Sequence, residues 1–225
     1  MVGACTCPHG GIVLNFSKMN KILDFNPQNM TIKVQPGVIV GELRDYVASH
    51  GLFYPPDPSN MKVSTIGGSI AQSSGGAMSF KYGTTKDYVL SLTVALADGT
   101  IMKLGASTIK DAVGYHLNQL IVGSEGTLAI VLEIELKLIP KPEATRLIAA
   151  YFNNFKDAIE GVNNIIAERV FPATIDFMDN NSINTVERFY PSGLDTTKNA
   201  MLLIEIDGFE SSMDEQQLRV EQALK

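Results

Sequence analysis

The stretch from Ser64 to Gly76 combines glycine with other small residues at a density that points to backbone contact with a ligand. Glycine destabilises regular structure, so a cluster of glycines is typical of backbone that adopts a positive φ or lies directly against another group. Thr65-Ile66-Gly67-Gly68 predicts the start of a short helix that continues through Ala71. Free N–H groups and a positive dipole end at such a helix start favour an anion, as a pyrophosphate requires.

Two well-known phosphate-binding signatures are absent from the sequence. There is no Gly-x-Gly-x-x-Gly after a strand, as in dinucleotide-binding domains, and no Gly-Lys-Ser/Thr of a phosphate loop. The sequence therefore does not support a Rossmann or P-loop fold. The glycines could also serve only to form turns, and the segment alone leaves both interpretations open.

The histidines and two closely spaced glutamates of the sequence are explained without a catalytic role. His50 lies near the end of a predicted helix, where the dipole favours a cation. His9 precedes two glycines and is interpreted as a turn residue, and His116 as a partly exposed side chain. Glu133 and Glu135 share one face of a predicted strand, and we expect them to be solvated rather than paired for acid–base catalysis.

Composition narrows the class of protein. With 225 residues, 45% of them hydrophobic, the chain is long enough to bury one large core or two smaller ones. A net charge of -6 without a Lys/Arg run argues against nucleic acid as a partner.

Apolar runs such as 90–97 are too short for a transmembrane segment. Cys5 and Cys7 are too close for an unstrained disulfide, which suggests reduced thiols in the cytoplasm, and no further Cys pair or His cluster suggests a metal site.

Hydrophobic periodicity predicts the elements around the glycine-rich segment. We expect strands over Gly11–Phe16 and Met30–Gln35, followed by a helix within Val38–Gly51. Asp98-Gly99 between two apolar runs predicts a hairpin. Beyond it, alternating apolar residues predict a long strand over Ile130–Leu138.

The stiff sequence Pro140-Lys141-Pro142 marks a change of organisation. Proline cannot donate to a central strand ladder, so we expect a domain boundary near Glu143 that divides the chain into 1–142 and 143–225. The second part alternates three predicted strands with three helices, the strands at 146–152, 174–178 and 200–207. This order predicts an α+β unit.

Six short motifs occur in the order and spacing of a known flavoprotein family. They are Pro55–Ser59, Ser64–Ala71, Ser74–Gly76, Lys81–Gly83, Asp98–Gly99 and Gly123–Ile130. On these motifs the sequence resembles the vanillyl-alcohol-oxidase-like family with a PCMH-type FAD-binding domain. It is most similar to the branch that contains the FAD subunit of glycolate oxidase and the D-lactate and D-2-hydroxyglutarate dehydrogenases. The resemblance implies an α+β fold: the second subdomain of a PCMH-type FAD-binding domain, then the start of an α+β, ferredoxin-like cap domain.

The resemblance also implies which residues lie along the FAD. In the family, the Pro-Pro-Asp-Pro-Ser motif lies beside the flavin, the Thr-x-Gly-Gly motif against the pyrophosphate, and the Ser-Glu-Gly turn at the adenosine half. Carried over to this chain, the cofactor-binding residues are Pro56, Asp57, Pro58, Ser59, Thr65, Gly67, Gly68, Ala71, Ser74, Gly75, Gly76, Tyr82, Gly83, Glu125, Gly126 and Ile130.

Some features of the family are missing from the sequence. Val2-Gly3-Ala4 resembles only the tail of the family's first pyrophosphate loop, so we expect a chain truncated at both ends that holds FAD weakly or not at all. The metal ligands and the substrate-binding cation of this branch would follow Lys225. The sequence therefore assigns no catalytic residue and no metal ligand.

For function, the resemblance implies an FAD-linked oxidoreductase that oxidises a small 2-hydroxy acid, such as glycolate or D-lactate, by hydride transfer to the flavin. Electrons would pass on to a quinone, a cytochrome or a partner subunit. We expect a cytoplasmic protein that can associate with the membrane periphery through a partner subunit, and a homo-oligomer is a separate expectation. Two alternatives stay open: a truncated, non-catalytic module that does not retain FAD, and a non-redox relative of the alkyl-glycerone-phosphate synthase type.

Overall fold

The computed structural model describes residues 6–225, which form two lobes with separate hydrophobic cores. The first lobe contains β1 (Ile22–Asn26), β2 (Thr31–Val34), α1 (Val40–Ala48), β3 (Leu52–Phe53), α2 (Ile66–Gln72), α3 (Ser79–Tyr82), a 3₁₀ turn (Thr85–Tyr88), β4 (Val89–Ala95), β5 (Ile101–Gly105), α4 (Leu117–Ile121), β6 (Ile130–Lys137) and β7 (Ile139–Pro140). The second lobe contains β8 (Ala144–Phe152), α5 (Phe155–Ala167), β9 (Thr174–Asp179), α6 (Asn180–Phe189), β10 (Ala200–Gly208), a 3₁₀ turn (Glu210–Ser212) and α7 (Met213–Ala223).

The first lobe is organised by a five-stranded antiparallel sheet in the order β1-β2-β6-β4-β5. The predicted long strand is β6, and it lies at the centre because its alternating apolar residues fill the core: Ile134 and Leu136 are fully buried. The Asp98-Gly99 turn joins β4 to β5, and Gly99 takes a φ of +85°, as such a tight turn requires. The predicted hairpin is confirmed.

The strand predicted over Gly11–Phe16 is wrong. This segment is irregular and mostly exposed, and the first strand is instead β1. β1 pairs with β2 through a short turn, in which the Asn26 carboxamide oxygen accepts a hydrogen bond from the Asn29 N–H at 2.9 Å. An apolar run alone does not specify a pairing partner, whereas a tight turn between two runs brings them together.

Helix α1 packs on this sheet through Val40, Leu43 and Val47, all fully buried at the helical spacing seen in the sequence. Ile66 and Ile70 of α2 enter the same core. The short helix predicted after Thr65 is therefore confirmed, and its inner face is fixed by apolar packing. Ser69 is buried beside the two isoleucines, whereas Gly68 is exposed and Gly67 and Ala71 are half-buried.

The second lobe has an antiparallel sheet in the order β8-β10-β9, with β10 at its centre. Leu202, Ile204 and Ile206 of β10 are fully buried and pack with apolar residues of α5 and α7. Three strands alternate with three helices, as predicted, and the α+β fold class is confirmed. Among residues 6–225, no helix has both the length and the hydropathy needed to cross a membrane.

The buried core of the first lobe runs from Ile32 to Leu138, and that of the second from Ala158 to Ala223. Between them, β7 pairs with β3, so the chain remains attached to the first lobe as far as Pro140. We propose that the domain boundary lies near Glu143, where the chain leaves one core for the other.

Candidate functional site

The N-terminus of α2 is fixed by hydrogen bonds within the chain. The Thr65 hydroxyl oxygen accepts from the Gly68 N–H at 3.1 Å and so caps the helix. The Ile66 N–H donates to the Val38 carbonyl and the Gly67 N–H to the Pro36 carbonyl, both at 2.8 Å. The expectation of free N–H groups at this helix start is therefore wrong, because a side chain and two neighbouring carbonyls already use them.

The Thr65 cap gives a first testable prediction. Replacing Thr65 with alanine removes the acceptor of the Gly68 N–H and is expected to lower the free energy of unfolding by about 1 kcal/mol. Chemical denaturation monitored by circular dichroism measures this change. Thr185→Ala, at an exposed position inside α6, is the matched control, and we expect it to change stability by less than about 0.5 kcal/mol. Equal losses in the two variants would contradict the role of the cap.

The end of α2 contacts the turn at 123–127 directly. The Gly123 N–H donates to the Ile70 carbonyl at 2.8 Å, and the Glu125 N–H donates to the Ala71 carbonyl at 2.9 Å. Glu125 takes a φ of +54° to make this contact. Two motifs about fifty residues apart in the sequence are thus joined by backbone hydrogen bonds.

Between α2 and this turn lies an apolar groove of about 170 Å³. Four of the predicted cofactor residues line it: Gly67, Ala71, Gly126 and Ile130. Its other lining residues are Phe16, Pro36, Ile70, Ile121, Ser124, Ala129 and Val131. Small side chains and a mainly apolar lining suit the flat surface of a nucleotide ligand.

The glycines of the site fall into two groups. A Cβ at Gly67 would lie 2.6 Å from the Pro36 Cβ. A Cβ at Gly75 would crowd the Ser79 hydroxyl. A Cβ at Gly76 would overlap Asp57. For these three, close packing within the chain explains the glycine. A Cβ at Gly68 would touch only the Thr65 hydroxyl, and one at Gly126 would meet nothing within 4 Å. Gly126 takes a φ of +73°, a conformation that favours glycine, so only Gly68 of these five has neither a steric nor a backbone reason within the chain, and its contact with a ligand stays a prediction.

The Pro-Pro-Asp-Pro loop forms a second part of the site. Pro56 and Pro58 are buried and support the loop, whereas Ser59 is exposed. The Asp57 carboxylate accepts from the Met78 N–H at 3.2 Å. Burial raises the pKa of Asp57, and the Met78 N–H and the Arg44 guanidinium partly offset this shift.

Arg44 of α1 supports this loop, although the sequence did not single it out. Its Nη1 donates to the carbonyls of Pro55 and Pro56, both at 3.0 Å, and its guanidinium lies 5.2 Å from the centre of the Phe53 ring. Burial lowers the pKa of Arg44. The sequence shows only a charged residue next to Leu43 on α1, and such a residue does not differ in the sequence from an ordinary solvent-exposed arginine.

Ser74 connects the groove to this loop. The Ser74 N–H donates to the Ser69 carbonyl at 3.0 Å, and the Ser74 carbonyl accepts from both the N–H and the hydroxyl of Thr85. Gly75 and Gly76 then lead to the loop at Asp57. The predicted residues from Thr65 to Gly76 therefore form one continuous strip of backbone.

Tyr82 and Gly83 lie where the first lobe meets the second. The Tyr82 hydroxyl donates to the Asp207 carboxylate at 2.7 Å, and the Tyr82 carbonyl accepts from the Tyr88 hydroxyl at 2.8 Å. Burial and the neighbouring Asp207 raise the pKa of Tyr82. Gly83 takes a φ of +79°, where any side chain would also collide with Asp87. Asp207 was missed because it follows an apolar strand run with no distinguishing pattern.

The other candidate residues lie apart from this strip. His9 is exposed, and His50 Nδ1 lies 2.9 Å from the Tyr46 carbonyl at the end of α1. His116 is exposed at the start of α4. The prediction for the cysteines includes Cys5, which lies outside the described residues. Among residues 6–225, no group of His, Cys, Asp and Glu side chains is arranged to hold a metal ion.

Glu133 and Glu135 share a face of β6, as predicted, but they are not simply solvated. Glu133 accepts from Thr93 and forms an ion pair with Lys33 at 3.4 Å. Glu135 accepts from the Ser91 hydroxyl at 2.9 Å. Hydrogen-bond donors from neighbouring strands thus satisfy both carboxylates.

Glu205 of β10 gives a second prediction. Burial, followed by repulsion from Asp207 and Asp57, raises its pKa. A raised pKa in the folded state stabilises the protein below the pKa of an unfolded glutamate, and this contribution is lost as the pH rises through the folded pKa. Glu205→Gln should therefore be more stable than the parent at neutral pH, and the difference should vanish in acid.

Melting temperatures measured between about pH 4 and 8 check this prediction. Glu168→Gln, at an exposed position beyond α5, controls for the loss of one negative charge. If the gain in stability of Glu205→Gln over the parent were smaller at neutral pH than in acid, a raised pKa of Glu205 would be contradicted.

The chain is similar in sequence to known FAD-binding proteins. Residues 1–105 match a family described as FAD binding domain, and residues 141–225 match one described as FAD linked oxidases, C-terminal domain. A glycolate oxidase subunit (GlcD) of Bacillus subtilis is 50% identical over 204 residues, which cover 90% of this chain and 43% of that protein. A D-lactate dehydrogenase of Anaerostipes hadrus is 38% identical, with 92% of this chain and 45% of that protein covered. The chain thus spans less than half the length of these relatives.

Among solved structures, an alkyldihydroxyacetonephosphate synthase superposes with a TM-score of 0.81 at 26% identity and covers 92% of this chain and 40% of its own. A carbohydrate oxidase from Microdochium nivale has a TM-score of 0.66 at 19% identity, over 93% of this chain and 41% of its own. The latter likeness concerns the fold alone.

Proposed function

Because this chain belongs to the family of FAD-linked oxidases, we propose that it forms part of an FAD-dependent oxidoreductase that oxidises a small 2-hydroxy acid such as glycolate or D-lactate. The observation that carries the proposal is the groove between α2 and the turn at 123–127. Two family motifs come together there through the Gly123 and Glu125 N–H groups. Small and apolar residues line the groove between them.

The residues of the groove fit the nucleotide half of FAD. Gly126 has open space where a Cβ would stand, and Ala71 and Ile130 provide apolar surface in the same groove. The start of α2 carries the positive end of a short helix dipole, although its N–H groups at Ile66, Gly67 and Gly68 already donate hydrogen bonds within the chain. We propose that this partial positive charge faces the pyrophosphate and attracts it without direct hydrogen bonds from these three groups. When bound, FAD supplies the acceptor for a hydride from the Cα of the acid.

At the other end of the strip, we propose that Asp57, Gly75, Gly76 and Tyr82 lie beside the flavin ring. Arg44 and the Met78 N–H hold the Asp57 loop rigidly in place, so little order is lost when a planar ligand lies against it. The remaining predicted contacts, Pro56, Pro58, Ser59, Thr65, Gly67, Ser74, Gly83 and Glu125, support or border this strip and are part of the same proposal.

The names of the curated relatives favour an oxidase or dehydrogenase over a synthase of the alkyldihydroxyacetonephosphate type. Sequence identity to the glycolate oxidase subunit is 50%, against 26% to the synthase structure. We further propose that electrons pass to a partner subunit, a quinone or a cytochrome, and that the protein is cytoplasmic. The word subunit in the relative's name supports a partner.

The experiment that tests this function has two stages. FAD is titrated into the purified chain and binding is followed by flavin fluorescence, with ADP as a competitor for the groove. Protein expressed together with its flanking coding sequence is then mixed with glycolate or D-lactate without oxygen. We expect saturable FAD binding that ADP displaces, and loss of visible flavin absorbance with one of the two acids. Saturable binding without reduction by either acid would overturn the substrate class. Failure of the protein expressed with its flanking coding sequence to bind FAD would overturn the site.

A further inference from the structure

Asp207 is a buried acidic residue that connects the two lobes. It lies near the end of β10 and is only 3% exposed. Its carboxylate accepts from the Lys81 ammonium and from the Tyr82 hydroxyl, and its carbonyl accepts from Lys81 at 2.9 Å. Both partners belong to α3 of the first lobe, about 125 residues earlier in the chain.

Removing two charged groups from water opposes much of the attraction between them, so a buried ion pair is weak evidence for added stability. The Lys81 side chain is 23% exposed and that of Asp207 is 2% exposed, so the carboxylate bears most of the desolvation. The presence of the Lys81–Asp207 pair is therefore better explained by the positions in which it holds its two residues than by added stability. Here it sets the position of α3, a helix of only four residues.

The contacts around Tyr82 fix its ring as well as its hydroxyl. The Lys81 ammonium lies 5.3 Å from the ring centre, and the Phe53 ring contacts Tyr82 edge to face at 5.8 Å. The Tyr88 hydroxyl holds the Tyr82 carbonyl. Because the phenol donates to Asp207, its hydroxyl proton is committed to that bond, and the ring is held as a rigid wall.

We propose that Asp207 is a positioning residue: from the second lobe it orients Tyr82 and thereby sets the ring face that Tyr82 presents to the flavin. The flavin part of this inference rests on the proposed function, whereas the coupling of Asp207 to Tyr82 does not. Movement of β10 relative to the first lobe is then transmitted to Tyr82 through one carboxylate.

A double-mutant cycle tests the coupling. Asp207→Asn and Tyr82→Phe are made singly and together, and the unfolding equilibrium constant is measured for each. We expect the effects to be non-additive by about fivefold or more in that constant. A parallel control cycle uses Asp214→Asn in place of Asp207→Asn. The Asp214 side chain is 92% exposed and forms an ion pair with Arg146, so its replacement should have an effect that adds to that of Tyr82→Phe. Additive effects in the Asp207 cycle would overturn the proposal.

A spectroscopic readout separates positioning from general stability. With FAD added, the visible circular dichroism of the flavin should change in the same way in Asp207→Asn and Tyr82→Phe, and remain unchanged in Asp214→Asn. Non-additivity with an unchanged flavin spectrum would overturn the positioning role and leave a structural contact. The proposed function fails if the protein expressed with its flanking coding sequence binds no FAD, and the double-mutant cycle then still decides whether Asp207 controls Tyr82.

Discussion

Replacing Gly76 with alanine is expected to lower the free energy of unfolding by about 1–3 kcal/mol. The added Cβ would overlap both the carbonyl oxygen and a carboxylate oxygen of Asp57, and these atoms are backbone and a held side chain rather than a flexible end. Because Gly76 has no positive φ, the cost is steric and does not come from backbone strain. Denaturant unfolding of the variant and its parent measures the difference.

Gly68→Ala is the matched control for this variant. Gly68 lies within α2, where alanine is favoured over glycine by up to about 1 kcal/mol, and its added Cβ would approach only the Thr65 hydroxyl at 3.2 Å. We expect the control to be neutral or slightly more stable than the parent. Similar losses of stability at positions 68 and 76 would show that the packing account of Gly76 is wrong.

Ala71→Leu should weaken FAD binding by about tenfold or more, which corresponds to about 1.4 kcal/mol, with little loss of stability. Ala71 lines the groove of about 170 Å³, and the three added carbon atoms of leucine would occupy space proposed for the nucleotide. The residue lies on the outer face of α2, while Ile66 and Ile70 hold the inner face in the core. Flavin fluorescence titration gives the dissociation constant of each protein.

Ala167→Leu provides the comparison, because Ala167 is an exposed helical alanine at the end of α5 in the second lobe. This control should bind FAD as the parent does. Equal affinity in Ala71→Leu and Ala167→Leu, with both proteins folded, would mean that FAD does not occupy the groove.

Local patterns in the sequence were enough to predict several elements. Asp98-Gly99 specified the β4–β5 hairpin because only a tight turn fits between two apolar runs. The spacing of Val40, Leu43 and Val47 specified the buried face of α1. In both cases neighbours in the sequence determine the structure. The strand placed at Gly11–Phe16 failed because its pairing would depend on a partner that the run itself does not identify.

The candidate site shows the same limit more clearly. The motif Thr65-Ile66-Gly67-Gly68 predicted the start of a helix with free N–H groups, but the sequence did not reveal that the Thr65 hydroxyl and the carbonyls of Pro36 and Val38 would use those groups. Nor did it indicate that Asp207 would reach Tyr82 from another lobe. Such contacts depend on how distant segments fold together, so no spacing in the chain records them.

In the proposed complex, FAD lies in the groove between α2 and the turn at 123–127. Hydrogen–deuterium exchange of the chain with and without saturating FAD tests it most directly. We expect slower exchange in peptides covering 65–76 and 123–131, with no change in α5 or α6. Protection confined to other segments while FAD is bound, with these two exchanging as fast as before, would contradict it.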